Sequence, residues 1–161
     1  EFRRVLFRSE AIIASLRVRQ NEERVGRVVI PVRVSEISVI NEDFEWASTN
    51  IKKQLTKDFT SIKKDIDSIQ KIIDSGRFSP TQKHTWECLG VAFGTILINE
   101  MDGMDWVTVI DGNKEYPALQ FKDTDIMVYP TTLIWEKVKN NQPCNLAEEY
   151  KRIEAEVEAV L

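Results

Sequence analysis

From residue 41 onward the apolar positions recur at helical spacing, give way to short alternating runs, and then return to helical spacing. Asn41 or Asp43 can cap a first helix that runs through Phe59, with Phe44, Ala47, Ile51 and Leu55 on one stripe. A second helix is predicted over residues 61–75. Ile62, Ile66, Ile69 and Ile73 form its stripe, Ile72 widens it, and Lys63, Lys64, Asp67 and Lys71 make the wet face. Gly76 is placed to stop it in a left-handed conformation. The third helix has the best start signal, Ser79-Pro80-Thr81-Gln82, with a capping serine, proline at the first helical position and glutamine three residues after the cap. It runs to about Met101 and stops at Asp102-Gly103. Trp86, Leu89, Phe93 and Leu97 mark one face, and Val91, Ile96 and Ile98 spread apolar surface around the rest, so this helix is expected at the centre. Gly90 and Gly94 each cost about 1 kcal/mol against alanine inside a helix. Their spacing leaves a flat strip that another helix or a strand can approach closely.

Three short strands follow, over residues 104–110, 116–121 and 125–129, separated by Asp111-Gly112-Asn113 and Lys122-Asp123-Thr124. Short turns make consecutive strands antiparallel neighbours. Trp106 and Ile110 share one face, Val107 and Val109 the other, so one face meets the long helix and the other is at least partly covered. Pro130 ends the last strand. A helix from Thr131 or Thr132 through Asn140 carries Leu133, Ile134 and Val138, with Asn141 as a left-handed cap and Pro143 against continuation. Asn145-Leu146-Ala147-Glu148 reads as a capping box opening a last helix through Leu161. The expected fold is α+β: a three-stranded antiparallel meander packed with flanking helices, the glycine-bearing helix against the sheet.

Ahead of residue 41 the pattern changes. Residues 28–40 are rich in valine and isoleucine and suit a strand, which Pro31 confines to an edge or an irregular extension. Eight of the ten arginines fall within the first 33 residues, whereas all twelve lysines lie at Lys52 or later. No folding rule switches the basic residue so sharply, but a switch in the underlying nucleic acid does. Residues 1–9, Glu-Phe-Arg-Arg-Val-Leu-Phe-Arg-Ser, back-translate into a string resembling a sequencing-library adapter read in frame, and are set aside as a scar. Residues 1–33 are therefore expected to be artefactual or foreign and to contribute nothing to the fold, with residues 34–161 forming a single α+β domain. A genuine arginine-rich arm is the alternative.

The net charge of −4 argues against a nucleic-acid partner, and without residues 1–33 the balance becomes 14 basic against 22 acidic residues. The longest apolar stretch, residues 89–98, is about half of what a membrane-spanning helix needs, so a cytoplasmic chain without a membrane partner is expected. Cys88 and Cys144 supply neither a disulfide framework nor a four-ligand zinc cluster.

Several local patterns carry a family resemblance. They are the run from Asp65 to Gly76, then Leu89-Gly90-Val91-Ala92-Phe93-Gly94, Asp105-Trp106-Val107, Pro117-Ala118-Leu119, Tyr129-Pro130 and Gln142-Pro143. Over residues 50–160 the chain resembles the bacterial family called domain of unknown function 3806. Asn141 stands where that family's pattern has glycine at a helix end, and Asn145 where it has an acidic cap; asparagine can do both jobs. The resemblance implies no established activity and carries over no catalytic residues.

His84 and Cys88 are four apart and share a helix face, as a Cys/His dyad or a pair of metal ligands would. A structural zinc needs about four ligands, and no second histidine exists, so the pair reads as a core cysteine beside a part-exposed histidine. No metal and no cofactor are expected. Asp111, Asn113 and Glu115 have the odd spacing of a calcium loop, but Tyr116 and Lys122 stand where glycine and glutamate are required. Glu100, Asp102 and Asp105 read as a solvated helix end. Trp135, beside Glu136, Lys137 and Lys139, is a candidate partner-binding residue, as are Tyr116, Asp111 and Glu115 of the hairpin. These readings converge on a non-enzymatic cytosolic module that binds another protein, regulatory or immunity-type. The alternative is a small hydrolase using Glu100, Asp105 and Asp125 near the meander.

Overall fold

The computed structural model describes residues 27–161. Its sheet has four strands, not the three expected: β1 (Arg27–Pro31), β2 (Met104–Asp111), β3 (Lys114–Phe121) and β4 (Met127–Val128), in the order β1-β2-β3-β4, every pair antiparallel. The meander is present, and β1 adds to its free side, with Val28 opposite Ile110 and Ile30 opposite Thr108. Pro31 lacks an N–H, which a sheet tolerates on an edge strand. The composition boundary after residue 33 therefore runs just behind a strand of the sheet. The adapter-like residues 1–9, and the rest of the segment as far as residue 26, lie outside the described residues.

The remaining elements are α1 (Val34–Leu55), a 3-10 turn (Lys63–Asp65), α2 (Ile66–Asp74), α3 (Lys83–Glu100), α4 (Pro130–Lys139) and α5 (Leu146–Glu158). α1 begins two turns before the expected cap, because Ile40 extends the stripe of Ala47 and Ile51 backwards. Its start is latched to the sheet: the Arg33 N–H donates to Thr108 Oγ1 at 3.0 Å, and the Thr108 hydroxyl donates to Glu36. α2 begins later than residue 61, since the Asp65 carboxylate accepts from the backbone N–H groups of Thr60 and Ile62 and fixes a tight turn first. Gly76 is left-handed at φ 73°, as its position predicts.

α3 starts at Lys83, not at Pro80. Ser79–Gln82 instead form a turn in which the Gln82 side chain accepts from the Ser79 N–H at 2.7 Å, half of the expected capping box. From Thr85 to Leu97 the helix is buried on nearly all sides, as its apolar surround requires. The glycine strip meets the start of α4. A Cβ on Gly90 would lie 1.9 Å from the Pro130 carbonyl oxygen, and one on Gly94 would lie 3.1 Å from Pro130 Cγ and 3.3 Å from Trp106. Trp106, with Met104, Leu119 and Phe121, belongs to the sheet face turned to the core. Asn141 is left-handed at φ 56°, and Asn145 accepts from the Glu148 N–H at 3.2 Å, so both asparagines fill the structural roles expected of them.

Candidate functional site

The stripe that buries α1 is Ile40, Asp43, Ala47 and Ile51. Asp43 thus holds a position where packing asks for an apolar residue, and its side chain is only 9% exposed. It is not a helix cap. It points at the first two turns of α3, where His84 and Cys88 share a face. His84 Nε2 lies 3.5 Å from Asp43 Oδ1 and 3.5 Å from Cys88 Sγ, and the three groups' ligand atoms all lie within 4.8 Å of one another. His84 Nδ1 lies 3.5 Å from Glu87 Oε1.

Burial is the main cause that lifts the Asp43 carboxyl above its ordinary range, against the pull of His84. The Cys88 thiol is pushed up to about 12, first by burial and then by the charge of Asp43. A nucleophilic cysteine needs the opposite, a stabilised thiolate. The ring geometry also differs from a catalytic triad, in which carboxylate and nucleophile sit on different imidazole nitrogens. Here both face Nε2, and a different carboxylate takes Nδ1. The three groups thus gather their donor atoms in one cluster around His84 Nε2.

Of the predicted partner-binding residues, three stay together at the β2–β3 hairpin. Glu115 accepts from Arg33 Nε at 2.7 Å, Asp111 pairs with Lys114 across the turn, and the Tyr116 ring packs 6.0 Å from that of Tyr129. Trp135 sits apart on α4, half-buried, its ring faced by the ammonium groups of Lys83 at 4.6 Å and Lys139 at 4.2 Å. The acidic set proposed for a hydrolase is not assembled. Asp105 lines a cleft with Asp102, Asp123 and Lys122, whereas exposed Asp125 is not among its lining residues and Glu100 accepts from the Lys63 N–H at 2.7 Å.

Sequence reasoning missed two features. Asp43 could have been found as a carboxylate on an apolar stripe, once the helix is carried back past residue 41. The exposed side chains of Val34, Ile37 and Val39 were hidden by reading residues 28–40 as a strand.

No curated protein matches the chain. A family profile described as Domain of unknown function (DUF3806) matches residues 65–150, and the chain belongs to that family. It is also similar to a protein of Bacteroides thetaiotaomicron whose crystal structure was solved at 1.50 Å resolution. The two share 45% identity with a TM-score of 0.72, over 78% of this chain and 46% of that one. The match therefore spans less than half the length of that relative. Among the described residues, no helix is long and apolar enough to cross a membrane.

Proposed function

We propose that this member of the family is a non-enzymatic module that binds another protein through the first turns of α1 and the neighbouring β2–β3 hairpin. The supporting observation is where large apolar side chains meet solvent. Val34, Ile37 and Val39 are 78%, 40% and 52% exposed; among the described residues only Ile62 and the final pair Val160 and Leu161 join them. Singly scattered apolar residues need no explanation, but Val34 and Ile37, one turn apart on one face of α1, mark an interaction surface, with Val39 on a different face of the same helix. Arg33, Glu36 and Thr108 lash these turns to the sheet, so the surface is held in place rather than offered by a loose end. Exposed Glu42 and Glu45 lie on the same helix, and Glu115 lies on the hairpin. The partner that fits presents apolar side chains flanked by lysine or arginine, and engagement of that kind suits regulation or immunity-type neutralisation.

The test is affinity capture from the native host with the full chain and its Val34→Asp/Ile37→Asp variant. A partner held by the parent and lost at least tenfold in the variant, at an unchanged melting midpoint, is the expected result. A partner retained equally by both would place the interface elsewhere.

A further inference from the structure

We propose that Asp43, His84 and Cys88 form a three-ligand binding site for a zinc ion, with a fourth coordination position open to solvent. The spacing of the donors is the first argument. Zinc bonds of about 2.3 Å to sulfur and about 2.0–2.1 Å to nitrogen or oxygen, at tetrahedral angles, separate neighbouring ligand atoms by ~3.3–3.6 Å. His84 Nε2 stands 3.5 Å from both Asp43 Oδ1 and Cys88 Sγ. Two of the three donor pairs already stand one tetrahedral edge apart, and the whole set lies within 4.8 Å.

The second argument is the other face of the imidazole. Zinc-binding histidines almost always donate their remaining ring N–H to a carboxylate, carbonyl or water, which fixes the tautomer that leaves a lone pair for the metal. Glu87 Oε1 lies 3.5 Å from Nδ1, one turn along the same helix face. Glu87 is accordingly a positioning residue, not a ligand.

The chemistry of the set points to the same ion. Thiolate, imidazole and carboxylate together suit zinc, whereas magnesium and calcium take oxygen alone. Asp43 and Cys88 are fixed by burial within packed helices, while the His84 side chain is 67% exposed and marks the side from which the ion and a water enter. Binding breaks the Cys88 S–H bond and forms a sulfur–zinc bond, and the proton leaves to solvent. No electron moves. Three protein ligands with one open position is the pattern of zinc sites that handle a fourth, exchangeable ligand.

The test uses the full chain in competition with a chromophoric chelator, with cobalt as a spectroscopic substitute. One ion per chain is expected, with a thiolate-to-cobalt charge-transfer band. His84→Ala, Cys88→Ser and Asp43→Asn should each weaken binding at least tenfold, and Glu87→Gln by about 10–100-fold. If the buried Asp43 variant fails to fold, the exposed His84 variant still decides. Failure to compete with the chelator, a bound ion without the sulfur band, or an ion retained at parental affinity by His84→Ala and Cys88→Ser would each overturn the assignment. Val34→Asp/Ile37→Asp should bind the ion as the parent does, so this site and the proposed protein interface stand or fall separately.

Discussion

α3 has two faces built on opposite principles. On one, Gly90 and Gly94 remove side chains so that the backbone at Pro130 can come into contact. On the other, His84 and Cys88 reach toward Asp43 of α1, and polar atoms meet where a packed interface opens to solvent at His84. The first face holds α4 in place by what is absent. The second gathers groups that burial alone disfavours, since both Asp43 and Cys88 are harder to ionise there. A device made by omission is purely steric and needs no partner chemistry, whereas a cluster of ionisable groups costs stability unless something compensates it.

The steric face should break most severely. Gly90→Ala forces a Cβ against a carbonyl oxygen 1.9 Å away, so α4 must move, and a loss of about 3 kcal/mol or more is expected. Gly94→Ala meets only tight side-chain contacts, which the ~1 kcal/mol helix preference of alanine over glycine offsets, leaving stability nearly unchanged. Chemical denaturation of the two variants measures the contrast. Equal effects would mean that the helices do not cross at Gly90.

The polar face should show next in thiol chemistry. With Cys88 pushed up to about 12 and Cys144 to about 11, thiolate is scarce at both, and scarcest at Cys88. Alkylation of the folded, chelator-treated protein near pH 8 should label Cys144 first, with Cys88 about a thousandfold slower than a free cysteine. Mass spectrometry of timed samples reads the order. Cys88 labelling first would show an activated nucleophile and reverse the reading of the cluster.

A smaller effect concerns acidity. Because the folded-state pKa of Asp43 is raised, the folded chain holds its proton to higher pH than the unfolded chain does. Stability is full below the ordinary carboxyl range and falls as pH rises through the folded value. The groups facing Asp43 and sharing its environment are His84, Cys88, Glu87 and Glu42. In metal-free protein, Asp43→Asn should flatten this part of the stability–pH curve, measured by thermal midpoints across acid to neutral pH. An unchanged slope would place its origin in other carboxylates.

The sequence displays these two faces unequally. Gly90 and Gly94 announce a close approach because the signal is local: two glycines on one row of an otherwise apolar helix. His84 and Cys88 are equally local, but Asp43 joins them only through the packing of α1 on α3, and its helix had been started too late to bury it. β1 was obscured for a related reason. Its partner β2 is separated from it by three helices, so no turn residues signal the pairing, and the valines that run on past Pro31 blur where the strand ends. The hairpin, by contrast, was legible from Asp111-Gly112-Asn113, where Gly112 takes a φ of 61° in a two-residue loop. Asn141 and Asn145 were legible too, because caps are decided by one residue and its own backbone.

The most direct test of the polar face is a crystal of the full chain grown with zinc, with anomalous scattering recorded above and below the zinc edge. The account predicts one strong peak bonded to Asp43 Oδ1, His84 Nε2 and Cys88 Sγ at about 2.0–2.3 Å. A zinc peak elsewhere, with these three side chains left in contact only with one another, would contradict it.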